Sequence, residues 1–209
     1  MIRVLLADDH TIVRKGLRQI LEDGIHSLSF GEAGNANEAL SLLHSSEWDI
    51  AILDLSMPGR SGLDLLKDIK SLAPKLPVLI LSMHPEEQYA LRVMKAGANG
   101  YLTKDSAPEE LVKAVTIIVK GRKYISPKLS EQLLDVISKP KNSGEHTSLS
   151  DREFEVMTAI ASGKTVSQIA DMLSLSVKTV STYRARIFEK MNFSNNAELT
   201  RYAIQNKLV

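Results

Sequence analysis

Residues 50–59 read Ile50-Ala51-Ile52-Leu53-Asp54-Leu55-Ser56-Met57-Pro58-Gly59. The run 50–55 is apolar on consecutive positions and is interrupted by one carboxylate, Asp54. Consecutive rather than alternating apolar residues are the signature of a parallel strand covered on both faces. Working outward, further strand-like runs stand at 2–7, 28–33, 78–82 and 100–102. Helical periodicity fills 11–22, 36–44, 63–72, 86–96 and 108–120. In the last of these, Leu111, Val115, Ile118 and Val119 share a face at spacings of three and four. Ser106 with Glu109 reads as a capping box there, with Pro108 in the first turn. Five strands alternating with five helices predict an α/β, doubly wound, five-stranded parallel sheet.

The texture changes after residue 120. Gly121-Arg122-Lys123 and the stretch 139–144 are polar and rich in breakers, with a short amphipathic piece at 127–138 between them. From residue 149 onward the pattern is helical throughout. Ser150 with Glu153 and Thr165 with Gln168 are capping boxes, opening helices at 151–162 and 166–173. Gly163 ends the first of these. Ser174-Leu175-Ser176 forms a short turn before Val177–Met191, and Asn195 opens a last helix to about residue 206. Two helices around a three-residue turn have the layout of a helix-turn-helix. The expected organisation is a sheet domain at 1–120, a linker with one helix at 121–148, and a small all-α helix-turn-helix domain at 149–209.

Composition narrows the function. The 209 residues carry 26 basic and 25 acidic side chains, so a net charge of +1 names no partner. Aromatics are 5%, with Trp48 the sole tryptophan, too few for a ring-stacking sugar or single-strand platform. There is no cysteine, which excludes disulfides and thiolate metal sites. The start shows no cationic region leading into an apolar signal core, and the apolar runs fall well short of the ~20 residues that span a bilayer. The expectation is a soluble, cytoplasmic protein without a membrane partner.

In a doubly wound sheet, ligands sit beyond the carboxyl ends of the strands. Asp8 and Asp9 follow the first predicted strand, Asp54 ends the third, Ser82 ends the fourth and Lys104 follows the fifth. Any one strand-end aspartate can simply cap the next helix. Five such groups on one sheet edge instead make a hard-oxygen pocket suited to Mg²⁺. A carboxylate beside such an ion can attack phosphorus, with metal and ammonium neutralising the transferred group.

Asp8-Asp9, the stretch 54–59, Ser82 and Tyr101-Leu102-Thr103-Lys104 resemble the CheY-like receiver domain of two-component response regulators. Residues 149–209 resemble the LuxR-type helix-turn-helix module. Together the chain is similar to the NarL/FixJ class across nearly its whole length. The resemblance implies that a sensor histidine kinase phosphorylates Asp54. It implies that Asp9, Asp54 and the carbonyl of Ser56 hold Mg²⁺, with Asp8 helping directly or through water. Lys104 contacts the phosphoryl group, Ser82 swings its hydroxyl toward it, and Tyr101 follows by turning inward.

The helix-turn-helix carries its charge locally. Residues 177–192 hold Lys178, Arg184, Arg186 and Lys190 against Glu189, while 145–209 as a whole has 8 basic and 7 acidic residues. A helical wheel turns Val180, Ile187 and Met191 inward. Lys178, Ser181, Thr182 and Ala185 face out and are the candidates for reading base edges in a major groove of double-stranded promoter DNA. Thr179, Tyr183, Arg184 and Arg186 flank that face as candidate phosphate contacts, joined by Thr165 and Ser167 at the preceding helix start. The resemblance implies a homodimer, formed when phosphorylated or DNA-bound, using part of the last helix with Leu199, Tyr202, Ala203 and Leu208. Two other classes compete. A phosphatase working through an aspartyl phosphate wants an acid two positions after its nucleophile, where this chain has Ser56. A phospho-switched protein- or RNA-interaction module leaves the outward basic helix unexplained. The expectation is a phosphorylation-controlled transcription regulator, not an enzyme.

Overall fold

Each of β3 (Ile50–Asp54) and β4 (Val78–Ser82) is buried along its whole length, as consecutive apolar residues require. They pair in parallel with β1 (Ile2–Ala7) and β5 (Gly100–Thr103), and β2 (Leu28–Ala33) closes the other edge, in the order β2-β1-β3-β4-β5. The computed structural model describes residues 1–57, 60–127, 129–130, 145–206 and 208–209. By internal contacts the chain divides into Met1–Leu133 and Leu134–Val209.

In the first unit the connecting helices are α1 (Thr11–Gly24), α2 (Ala36–Ser45), α3 (Gly62–Leu72), α4 (Glu86–Lys95) and α5 (Ala107–Val119). Strand side chains alternate between the two faces. Val4, Leu6, Ile50, Ile52, Leu79 and Leu81 join Leu17 and Leu21 of α1 and Leu111, Val115 and Ile118 of α5 in one core. The strand order reverses between β1 and β3, which opens a crevice at their carboxyl ends. Register sets what lines it. Ala7 pairs with Leu53, Asp54 with Leu81 and Ser82 with Thr103, so Asp8, Asp54, Ser82 and Lys104 gather at one end. Trp48 lies at the loop before β3. Its Nε1 donates to the Leu42 carbonyl at 3.0 Å, and its ring covers Gly31, where any side chain would collide with it.

The capping box read at Ser106 does not form. Ser106 adopts helical backbone angles, φ −85° and ψ −12°, and its Oγ donates to the Thr103 carbonyl at 3.1 Å. The same Oγ accepts from the Thr103 hydroxyl at 3.1 Å, and Glu109 N donates to the Ser106 carbonyl instead. Pro108 does stand in the first turn. Tyr124 belongs to the same core as α1 and α5, and Leu129 is fully buried, so residues expected at the start of the linker are part of the first unit. The amphipathic piece read at 127–138 lies, beyond residue 130, outside the described residues, as do Pro58 and Gly59.

The second unit contains a 3₁₀ turn at Glu145–Ser148, then α6 (Asp151–Ala161), α7 (Val166–Leu173), α8 (Val177–Met191) and α9 (Asn196–Gln205). Both predicted capping boxes are present, Ser150 with Glu153 and Thr165 with Gln168. Asn195 accepts from Glu198 N and caps α9. Gly163, at φ +81°, lets the chain leave α6 through a left-handed turn. Ser174 and Asn192 adopt the same region, at φ +53° and +55°, ending α7 and α8. Phe154, Met157, Ile169, Val180, Ile187 and Leu199 are all buried there.

Candidate phosphoacceptor pocket and nucleic-acid interface

Asp54 is the last residue of β3 and only 2% exposed. Its Oδ2 accepts from Lys104 Nζ at 2.8 Å and its Oδ1 from Ser56 N at 3.1 Å. The close approach of α3 helps fix it. Gly62 N donates to the Leu55 carbonyl at 2.9 Å, and a Cβ on Gly62 would strike the Asp54 carbonyl. Asp8 is equally buried; its Oδ1 accepts from His10 N at 2.8 Å, and Lys104 Nζ lies 2.7 Å from its Oδ2. Arg14 donates to the Asp8 carbonyl at 2.6 Å and pairs with Glu32, pinning the start of α1. Asp9 is the more open carboxylate, with His10 Nδ1 at 2.8 Å.

Asp8, Asp9, His10 and Asp54 bring one donor atom each within 4.8 Å of one another. Asp8 Oδ2 and Asp9 Oδ1 are buried oxygens whose polar neighbours are the Lys104 ammonium at 2.7 Å and the His10 imidazole at 2.8 Å. Three clustered carboxylates share one ammonium, and buried charge left uncompensated in this way is costly. Their hard-oxygen chemistry fits a divalent ion such as Mg²⁺.

Burial pushes the Asp54 carboxyl above its ordinary value, more than the Lys104 and Ser56 hydrogen bonds pull it down, and Asp8 adds to the rise. Burial alone would lower the Lys104 ammonium. Hydrogen bonds and charge from Asp54 and Asp8 outweigh it, and the net shift is upward.

Ser82 is fully buried, and its Oγ accepts from His84 N at 3.0 Å. Tyr101 is also fully buried and already faces inward, its Oη donating to the His84 carbonyl at 2.8 Å. Burial raises its phenol well above the ordinary value. Burial likewise holds the His84 imidazole below its usual range, against a smaller upward pull from Asp54, and the ring lies 4.8 Å from that of Tyr89. Ser56 is exposed and joins the pocket through its amide. His10, Arg14 and His84 are the members that the sequence reading missed. His10 follows Asp8-Asp9 directly, and that adjacency is the one signal available for it.

In the second unit, Lys178, Ser181, Thr182, Ala185 and Arg186 are exposed on α8, and Thr179, Tyr183 and Arg184 are half-buried beside them. Val180, Ile187 and Met191 are buried, as the helical wheel requires. Ser176 caps the helix, accepting from Thr179 N at 3.0 Å. The hydroxyls of Ser181 and Thr182 donate to carbonyls one turn back and keep their lone pairs outward. Arg184 stands over the Phe188 ring at 5.1 Å. Thr165 and Ser167 are exposed at the start of α7. Lys190 does not contribute to this face. Its Nζ donates to Glu153 Oε2 at 2.7 Å, tying the end of α8 to the capping box of α6. Burial would raise Glu153, but the bonds from Lys190 and Ser150 prevail and hold its carboxyl below the ordinary range. On α8 the positive charge available to a ligand is therefore concentrated on Lys178, Arg184 and Arg186.

Residues 4–116 match the response regulator receiver domain. Residues 147–203 match the bacterial regulatory proteins of the luxR family. The chain is 39% identical over 209 residues to the response regulator UvrY of Escherichia coli strain K12, covering 100% of this chain and 96% of UvrY. It is 36% identical over 210 residues to the response regulator GacA of Pseudomonas aeruginosa strain PAO1, covering 100% and 98%. The solved structure of the RcsB response regulator from Salmonella typhimurium is similar at a TM-score of 0.71 and 31% identity, over 98% of both chains. A structure of RcsB from Salmonella enterica serovar Typhimurium, bound to promoter rprA in the presence of the phosphomimetic BeF3⁻, gives a TM-score of 0.66 at 30% identity, over 97% of this chain and 98% of that one. Among the described residues no helix is long and apolar enough to cross a membrane.

Proposed function

We propose, for a chain that belongs to the two-component response regulators of the NarL/FixJ class, that phosphorylation of Asp54 controls its binding to promoter DNA. Such a protein is a DNA-binding transcription regulator with a histidine kinase as partner. The observation that carries the Asp54 assignment is its position: a buried carboxylate at the sheet's switch point, hydrogen-bonded to the Lys104 ammonium and the Ser56 amide. A carboxylate oxygen of Asp54 attacks phosphorus of the kinase's phosphohistidine, the O–P bond forms and the P–N bond breaks. Lys104 is already in place to neutralise the incoming oxygens. Asp8, Asp9, Asp54 and the carbonyl of Ser56 would hold Mg²⁺. That ion supplies charge neutralisation when bound. The new group adds roughly −1.5 to −2 charges. Ser82 donates its hydroxyl to it, and Tyr101 packs behind.

The receiver function resides in 1–120 and DNA binding in 149–209, and 121–148, whose start packs on the first unit, joins them. Lys178, Ser181, Thr182 and Ala185 read base edges. Thr165, Ser167, Thr179, Tyr183, Arg184 and Arg186 hold the backbone. The regulator acts in the cytoplasm, as a homodimer on a two-fold DNA site. It turns over no substrate of its own, since Ser56 stands where a phosphatase of this kind carries its acid. Intact-mass measurement after acetyl phosphate and Mg²⁺ tests the central assignment. The wild-type chain gains one phosphoryl group and Asp54→Asn gains none; an equal gain in that variant rejects it.

A further inference from the structure

We infer that the hydrogen bond between Ser126 and Glu86 is a latch, coupling the phosphoacceptor pocket to the segment that leaves the first unit. Ser126 is 8% exposed, and its Oγ lies 2.7 Å from both carboxylate oxygens of Glu86. The same oxygen accepts from Leu129 N at 3.0 Å. A hydroxyl has one proton to give. Here it goes to the first residue of α4, while a lone pair takes the Leu129 amide, and Ser130 N donates to the Ser126 carbonyl at 3.0 Å. One atom thus joins the starts of two elements.

The loop between β4 and α4 is tied at its other end to the pocket. His84 N is held by the Ser82 hydroxyl and the His84 carbonyl by Tyr101. Only Pro85 separates His84 from Glu86, with φ −57°. Its ring fixes that torsion, so a shift of His84 passes on instead of being absorbed. When Ser82 turns toward a phosphoryl group on Asp54, the acceptor of His84 N moves, and Glu86 moves with the loop. Tyr124 N donates to the Asn99 carbonyl at 2.8 Å, which anchors the segment upstream and leaves Ser126 as the point of response. Coupling of this kind is reciprocal, so the state of the segment also biases the pocket. Glu86 and Ser126 are positioning residues: neither touches the phosphoryl group or the DNA.

The inference rests on Asp54 being the phosphoacceptor, and its test separates the two. The full chain, with Mg²⁺ and with or without beryllofluoride, is titrated onto a selected DNA site. Hydrogen exchange is followed in parallel at residues 126–130. In the wild type, beryllofluoride changes both the DNA affinity and the exchange of Leu129 N–H. Ser126→Asp keeps a capping acceptor but sets a second carboxylate against Glu86. Glu86→Ala removes the acceptor at a half-exposed position. In both variants the ratio of affinities with and without beryllofluoride falls about fivefold or more toward unity. Beryllofluoride still protects the pocket from exchange in them. Glu86→Lys combined with Ser126→Asp restores the ratio. A ratio within about twofold of wild type in both single variants overturns the latch alone. A wild type that binds beryllofluoride with no change in DNA affinity overturns the latch together with the control by Asp54.

Discussion

Lys104 is the residue on which the pocket's charge balance turns. It sits between two carboxylates, Asp8 and Asp54, that are each 2% exposed. Lys104→Met leaves them facing each other without an ammonium, which should cost about 3–5 kcal/mol in urea denaturation of the first unit. Added Mg²⁺ should recover part of it, since an ion that binds only the folded state stabilises it. The pH dependence has a definite sign. The folded value of Lys104 is raised, so its contribution is complete below its ordinary 10.5 and disappears as pH rises through the raised value. An alkaline loss of stability beginning near there should be present in wild type and absent from Lys104→Met. Asp9→Asn should weaken Mg²⁺ binding, measured by calorimetry, and leave the melting temperature equal or higher, because a repelling charge is gone. These residues were legible in the sequence because each stands at or just past the end of an apolar run, where register brings neighbours together. His84, Glu86 and Ser126 were not. His84 acts through its backbone and Glu86 with Ser126 through a contact 40 residues apart, and spacing carries no trace of either.

Helix α8 shows the same division between pattern and context. Its buried face followed from periodicity alone. The role of Lys190 did not, because its partner Glu153 is 37 residues away and also closes a capping box. Two kinds of substitution on α8 should behave differently. Lys178→Ala or Thr182→Ala should lose about 1–3 kcal/mol on the best DNA site and less on random sequence. Arg186→Ala should weaken all sequences alike and lower the salt slope by about one phosphate contact. Unchanged affinity and preference in both of the first pair would reject the assigned reading face. Lys190→Met tests stability instead. The Lys190 side chain is 41% exposed, so the loss should be at most about 1 kcal/mol in thermal melts, with sequence preference untouched. Ser106 marks where element-level reading failed. The spacing to Glu109 fits a capping box, but the hydroxyl of Thr103 competed for the same side chain and won.

At the scale of the molecule, a net charge of +1 over 209 residues makes long-range attraction to DNA weak. Affinity should then depend on a few contacts and on pairing two copies. The logarithmic salt slope for one chain on DNA should be small, near two phosphate contacts, for Arg184 and Arg186. A slope twice as steep under beryllofluoride would be the expected sign of two chains engaging one site. The alternation of strands and helices was enough to give the sheet, and the loss of strand patterns after residue 120 was enough to give the helical unit. The limit between them was harder to read, since Gly121 and its polar neighbours look like a linker while Tyr124 and Leu129 are buried.

The indole that covers Gly31 makes the protein optically lopsided. Trp48 belongs to the first unit, and the second has no tryptophan. Emission therefore reports the sheet alone, whereas far-ultraviolet ellipticity reports helices of both units. In a thermal or urea titration the two signals should separate wherever the units melt independently. Beryllofluoride with Mg²⁺ should displace the emission curve, and a DNA site should displace the part of the ellipticity curve that emission does not follow. Any DNA-induced displacement of the emission curve would then be a direct readout, without labels, of communication from one end of the chain to the other.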